Sequence, residues 1–404
     1  MSKVLDKFLK YVSFDTQSDE ESMSSPSTKK QKLLGAYLVK ELKKYGVKNA
    51  YLDNYGYVYG KIASNINSDV TLGLIAHMDT SPDASGKDVK PQLVEYKEGN
   101  ILINKDLNMF INEKTLLNHK GHRIIHTDGT TLLGADDKAG IAIIMEIVET
   151  LYNNKDIKHP AINIAFTPDE EVGRGTEHFN YEYFKKDTKI LYSYTLDGDD
   201  INIINYENFN AASAEVVVNG VSIHPGSAKN IMVNSQLLAM EFNGLLPKNA
   251  RPENTEGYEG FNHLHSIVGD VTKTTLKYII RNHDIEKFNE QKQDFINITK
   301  KLNKKYGEGT FVTSLKDSYF NMVDIVNEHK EVLDLPIEAL KKLGIESKFE
   351  PIRGGTDGAT LSFNGIVCPN LGTGCGNYHG PYEFADLDDM ETMVEVILTM
   401  FSLV

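Results

Sequence analysis

The sequence predicts an α/β protein: a mixed sheet flanked by helices, with a smaller βαββαβ domain inserted into it. Three observations predict this. Short apolar, β-branched runs alternate with amphipathic helical patterns along most of the chain. Histidines and carboxylates fall just beyond several of those runs. Between about Asn208 and Leu315 the pattern changes to the ferredoxin-like order of strand, helix, two strands, helix and strand.

Four runs define the larger sheet: Val70 to Ala76 (VTLGLIA), Ala161 to Phe166 (AINIAF), Lys189 to Leu196 (KILYSYTL) and Ile366 to Leu371 (IVCPNL). They are mainly apolar and β-branched, as central strands of a covered sheet should be. Between the first two, Lys138 to Tyr152 places Ile141, Ile144, Met145, Val148 and Tyr152 at helical spacing, which predicts a crossover helix with a core-facing stripe. The Ser- and Glu-rich stretch Ser18 to Ser27 reads as a surface loop.

In the inserted pattern, Ala214 to Val218 is a strand closed by the turn pair Asn219-Gly220. Ser235 to Leu245 is a helix, His265 to Val271 and Thr275 to Arg281 are strands, Asp284 to Lys305 is a long helix, and Gly309 to Leu315 is the last strand. A length of 404 residues exceeds the usual size of one hydrophobic core. The expected division is therefore 1–207 and 318–404 for the outer domain and 208–317 for the insertion.

Composition narrows the function classes. Hydrophobic residues are 40% and charged residues 25% of the chain, a soluble globular mix. A net charge of -14 argues against nucleic-acid and acidic-membrane partners, which need a basic face. No apolar run approaches the roughly 20 residues that span a bilayer, and Met1 to Lys10 does not read as a signal peptide. The two cysteines, Cys368 and Cys375, make neither a disulfide framework nor a thiolate zinc site. The expected compartment is the cytoplasm.

The informative residues sit beyond the strands. His77 and Asp79 follow the first run, Glu170 and Glu171 the second, Asp197 ends the third, and His379 lies in the loop after the fourth. Asp136 stands at the entrance to the crossover helix. Ligands of open α/β sheets bind at the carboxyl ends of the strands, so separate segments deliver these groups to one edge. Taken singly each signal is weak: a Glu-Glu pair is usually a solvated face, and a lone His near Gly and Pro is usually a loop residue. Taken together, His and carboxylate groups suit zinc or a similar divalent ion. Two ions roughly 3.5–4 Å apart need a bridging carboxylate, and Asp136 is placed for it. Asp137 then reads as an acidic residue of the first helical turn, favoured by the helix dipole.

The segments IAHMDT (Ile75 to Thr80), LLGADDKAG (Leu132 to Gly140), PDEEVGRG (Pro168 to Gly175), YTLDG (Tyr194 to Gly198) and GNYHGPYEF (Gly376 to Phe384) resemble the two-zinc metallopeptidase family of carboxypeptidases, dipeptidases and deacylases. NGVSIHPGSAKN (Asn219 to Asn230), RPENTEGYEGF (Arg251 to Phe261) and RGGTDGA (Arg353 to Ala359) extend the resemblance over essentially the whole chain, toward its tripeptide aminopeptidase branch. The resemblance implies two zinc ions per chain, with other divalent ions possible. His77 and Asp197 would hold one, Glu171 and His379 the other, and Asp136 would bridge them. Glu170 would be the general base and acid, and Asp79 would orient His77.

The substrate implied is a short peptide with a free amino end. Arg353, flanked by glycines, is the expected anchor for a C-terminal carboxylate, which Arg binds in a bidentate manner. The resemblance also implies substrate contacts from His224, near the oxyanion and across a homodimer, and more weakly from Asn234 and Arg281. The inserted domain would act as lid and dimerisation domain. The alternative reading is a carboxypeptidase, a dipeptidase or a deacylase of N-acyl amino acids, which would share the same metal residues.

Overall fold

The computed structural model describes residues 3–404. In chain order, the elements used below begin with α1 (Lys3–Val12), β1 (Val58–Ile62), β2 (Val70–His77), β3 (Arg123–His126), α2 (Ala135–Asn153), β4 (Ala161–Thr167) and β5 (Ile190–Gly198). They continue with β6 (Asn210–Asn219), α3 (Ser235–Leu245), β7 (Phe261–Gly269), β8 (Lys273–Asn282), α4 (Ile285–Tyr306) and β9 (Phe311–Tyr319). The last are β10 (Asn370–Gly372), β11 (Phe384–Asp386) and α5 (Leu387–Phe401).

Two compact units divide the chain. The first runs to Tyr206 and resumes over Asp324–Glu350 and Thr356–Val404; the second holds Glu207–Val323 and Pro351–Gly355. The short return 351–355 joins the second unit because Ile352 bridges Asn208 and its amide donates to the Glu207 carbonyl at 2.8 Å. No helix among the described residues is long and apolar enough to cross a membrane.

The first unit is built on an eight-stranded mixed sheet. Its middle strands lie in the order β4, β2, β5, β10 and all run parallel. β1 flanks them antiparallel on the β4 side. The registers pair His77 with Thr167 and Leu371 with Leu196, so the carboxyl ends come out along one edge. β2 is buried from Thr71 to His77, as its unbroken apolar run requires.

The crossover helix α2 covers the sheet with Ile141, Ile144, Met145 and Val148 all buried. Tyr152, expected in the same stripe, is instead 43% exposed; it lies in the last turn, where its ring packs on Tyr45. The fourth expected strand is shorter than its apolar run, since only Asn370–Gly372 pairs. Gly365 at φ 78° and Pro369, which has no amide to donate, keep the preceding residues out of the ladder. The Ser18 to Ser27 segment is exposed in its middle but buried at both ends.

The second unit is one four-stranded antiparallel sheet in the order β7, β8, β6, β9, with α3 and α4 supplied between strands. That order is the ferredoxin-like one. Its core sets Phe242 of α3 against Tyr278, Phe295 and Phe311. α4 is capped by Asp284, whose carboxylate accepts from the Glu286 and Lys287 amides.

Candidate metal centre

Each polar group at the carboxyl edge of the sheet is placed by the strand or loop that carries it. His77 is the last residue of β2 and is buried. Its Nε2 lies 2.7 Å from Asp136 Oδ1 and 3.6 Å from Asp197 Oδ1. Its Nδ1 faces Asp79, 3.1 Å from the carbonyl and 3.4 Å from Oδ1. Asp197 arrives from the end of β5.

Asp136 stands where the chain enters α2, just after Gly134, whose φ of 80° lies in the left-handed region. Its two oxygens point different ways: Oδ1 to His77 and Oδ2 to His379 Nε2, 3.4 Å away. The loop is held by the buried Glu383, which accepts from the amides of Leu133, Gly134 and Asp136 at 2.6, 2.8 and 3.0 Å. Asp137 is buried too; it accepts from the amides of His77 and Gly140 at 3.1 Å each, joining the end of β2 to the start of α2. Gly140 lets Asp137 and the end of β5 come this near, because a Cβ there would lie 2.6 Å from Asp137 Oδ1 and 2.0 Å from the Leu196 carbonyl oxygen.

Glu170 and Glu171 open a short 3-10 turn after β4. Asp169 before them has φ 59°, an uncommon left-handed setting for a non-glycine residue. Its carboxylate holds that setting by accepting from the Ser27 amide at 2.6 Å and from Gln31 Nε2 at 2.7 Å. The fully buried Asp79 carboxylate accepts from the Glu170 and Glu171 amides at 3.0 and 3.2 Å. Asp79 thus touches both His77 and the Glu-Glu turn. His379, at φ 64°, brings Nε2 to 2.8 Å from Glu171 Oε2. Glu171 Oε1 is buried with no hydrogen-bond partner among the described residues.

Two donor groups result, His77–Asp136–Asp197 and Asp136–Glu171–His379, each with atoms within 4.8 Å of one another. They share Asp136. The electrostatics are those of carboxylates crowded out of water. Burial pushes Asp197 up to about 6 and Glu171 up to about 8, and raises Glu170 well above the usual carboxylate range. Hydrogen bonds that the His379 ring donates to Asp136 and Glu171 push it up to about 11. Burial opposes ionisation of Asp136, but the His379 and His77 rings outweigh it and hold its carboxyl below the usual range. A cluster that strains against its own negative charge, with two imidazoles converging on it, has the donor chemistry of a divalent-cation site.

Seven of the sequence-derived residues, His77, Asp79, Asp136, Glu170, Glu171, Asp197 and His379, are therefore gathered in the first unit. The other four lie in the second. The His224 ring caps a 3-10 turn by accepting from the Gly226 amide at 3.1 Å. Asn234 caps α3 by accepting from the Gln236 amide at 3.0 Å. Arg281 donates to the Ile280 carbonyl at 2.9 Å and stacks on Tyr319. Arg353 stacks on Phe209 and donates to the Gly257 and Glu259 carbonyls and to Thr255 Oγ1.

Asp137 and Glu383 support the site but were not singled out from sequence. Asp137 lies in the first turn of α2, as its sequence position implies, and there it is buried and accepts from the His77 amide. The adjacent Asp-Asp pair was the only local signal. The buried Asp357, pushed up to about 7 chiefly by burial, accepts from Thr167 Oγ1 at 2.7 Å behind the Glu-Glu turn.

Residues 118–402 match the model of peptidase family M20/M25/M40, and the chain belongs to that family. Among curated relatives it is 48% identical to Peptidase T of Caldanaerobacter subterraneus subsp. tengcongensis, and 49% identical to Peptidase T of Clostridium perfringens. Both alignments cover 100% of this chain and 99% of the relative. Among solved structures, a tripeptidase from Staphylococcus aureus superposes with a TM-score of 0.78 at 20% identity, covering 99% of this chain and 97% of that one. The aminopeptidase PepT from Bacillus cereus gives 0.76 at 21% with the same coverage. A dinuclear metal-binding peptidase of the family from Bacillus subtilis gives 0.62 at 11%, covering 99% and 97%.

Proposed function

We propose that the chain is a two-metal aminopeptidase that releases the N-terminal residue of tripeptides. The observation that carries the reading is Asp136, with one oxygen toward each of two histidines, in a chain so similar to Peptidase T along its whole length. The donor sets fit divalent cations: imidazoles and carboxylates converge, and Glu171 keeps a buried oxygen with nothing to accept from. His77 and Asp197 would hold one ion, Glu171 and His379 the other, with Asp136 shared. Zinc suits these ligands, and manganese or cobalt are chemically admissible. Such ions supply Lewis acidity to a peptide carbonyl and lower the pKa of water.

The chain's own residues do the rest. Glu170 belongs to neither donor group, so its carboxylate is free to take the proton from water and return it to the leaving amine. Asp79, through the two amides it accepts, holds Glu170 and Glu171 in their separate directions. The second unit serves as lid and dimerisation domain in this reading. Its His224, Asn234 and Arg281 are substrate contacts, and Arg353, fixed in direction by its carbonyl partners, receives the C-terminal carboxylate.

The test is incubation with Ala-Ala-Ala, N-acetyl-Ala-Ala-Ala and a chelator control, with products identified by mass spectrometry. Release of Ala and Ala-Ala from the free peptide only, abolished by chelator, is expected. Cleavage of the acetylated peptide instead moves the activity to a carboxypeptidase or deacylase.

A further inference from the structure

We propose that His119, His122, Asp386 and Asp389 form a second divalent-cation site, of the zinc class, sharing no residue with the centre built around Asp136. The four side chains offer one ligand atom each, all within 4.8 Å of one another. The histidines come from the turn before β3; the carboxylates come from the end of β11 and the first turn of α5. Asp386 is fully buried, and its oxygens are divided. Oδ1 caps α5 by accepting from the Asp388 and Asp389 amides at 2.9 and 3.1 Å, while Oδ2 lies 2.8 Å from His119 Nδ1 and 2.6 Å from His122 Nδ1.

A capping carboxylate between two rings would be a complete hydrogen-bonded motif without Asp389. Yet Asp389 sets a second carboxylate beside it, 3.6 Å from His119 Nδ1 and 3.7 Å from His122 Nδ1, too far for a hydrogen bond to either. Burial and the Asp386 charge push Asp389 up to about 7. Donor separations around a tetrahedral zinc are about 3.3 Å, given zinc–ligand bonds of about 2.0–2.1 Å. The four histidine–carboxylate separations, 2.6–3.7 Å, bracket that value. A dication would bring Asp389 in and relieve the crowding of like charge. The Nδ1 protons that now face Asp386 would leave or move to Nε2. On that side of His119 the Asp200 carboxylate lies 3.8 Å from Nε2, beyond hydrogen-bond distance but of the chemistry such outer partners have. His122 is the most exposed of the four, at 34% of its side chain, and gives the ion a way in.

The occupied site would clamp β3, β11 and α5 together. It would be structural, with Glu383 just before β11 tying it to the Asp136 loop.

The test is elemental analysis of zinc in the full-length protein after equilibration with limiting zinc, for the wild type, His119→Gln/His122→Gln and Asp389→Ala. Each variant should hold one equivalent fewer per chain, and the difference should persist in an Asp136→Ala background, where the other centre is impaired. Equal zinc in wild type and variants overturns the proposal whatever happens at the Asp136 centre. If the double-histidine variant fails to fold by circular dichroism, Asp389→Ala, which keeps the α5 cap and both rings, decides alone.

Discussion

At the carboxyl edge of the larger sheet, single residues divide into the converging donor side chains and those that hold them in place. His77, Asp136, Glu171, Asp197 and His379 were legible in the sequence because each follows a strand or opens a helix, and a parallel sheet sends such positions to one edge. Asp137 and Glu383 were not, because their task is to accept from backbone amides that only the fold brings near. The shared position of Asp136 leads to a first expectation. In an Asp389→Ala background, Asp136→Ala should lower bound metal from two ions per chain toward one or none, read by elemental analysis; two ions still bound there would remove the bridge. Arg353→Ala should weaken binding of Ala-Ala-Ala while leaving its C-terminal amide nearly unaffected, read as the change in KM for each. Equal losses on both peptides would take Arg353 out of carboxylate recognition.

At the scale of elements, periodicity was reliable where burial is uniform and failed at ends. The α2 stripe is buried as its spacing requires except at Tyr152, in a last turn that has left the sheet. The run from Ile366 promised a longer strand than Asn370–Gly372 because hydrophobicity does not report a missing amide. The contact of α1 with α2 gives a testable pH dependence. Burial raises Glu149 of α2, but hydrogen bonds from Lys7, Tyr45 and Lys3 outweigh it and hold it down from 4.5 to about 2. A depressed carboxyl contributes stability that is complete above the unfolded value and lost as pH falls through the folded one. The melting-temperature advantage of wild type over Glu149→Gln should therefore shrink between pH 4.5 and about 2. A gap that stays constant across that window would show that the charge of Glu149 is not what joins the helices.

At the scale of the whole molecule, two units have separate cores. The change from parallel strands with crossovers to βαββαβ marked the second one in the sequence, while the return of 351–355 to it depends on contacts such as Ile352 with Asn208, which no local pattern shows. Phe242→Ala should cost about 3–5 kcal/mol and raise hydrogen exchange in β6 to β9 while sparing β2, β4 and β5; equal loosening of both sheets would mean one cooperative core. In the proposed function the adjacent glutamates divide the work, Glu171 holding metal and Glu170 moving the proton. Turnover of Ala-Ala-Ala and metal content, measured together on the intact Glu170→Gln enzyme, test it most directly. Unchanged metal with turnover lower by roughly 10²–10⁴-fold is expected; near-normal turnover, or loss of metal alongside activity, would rule out this division of roles.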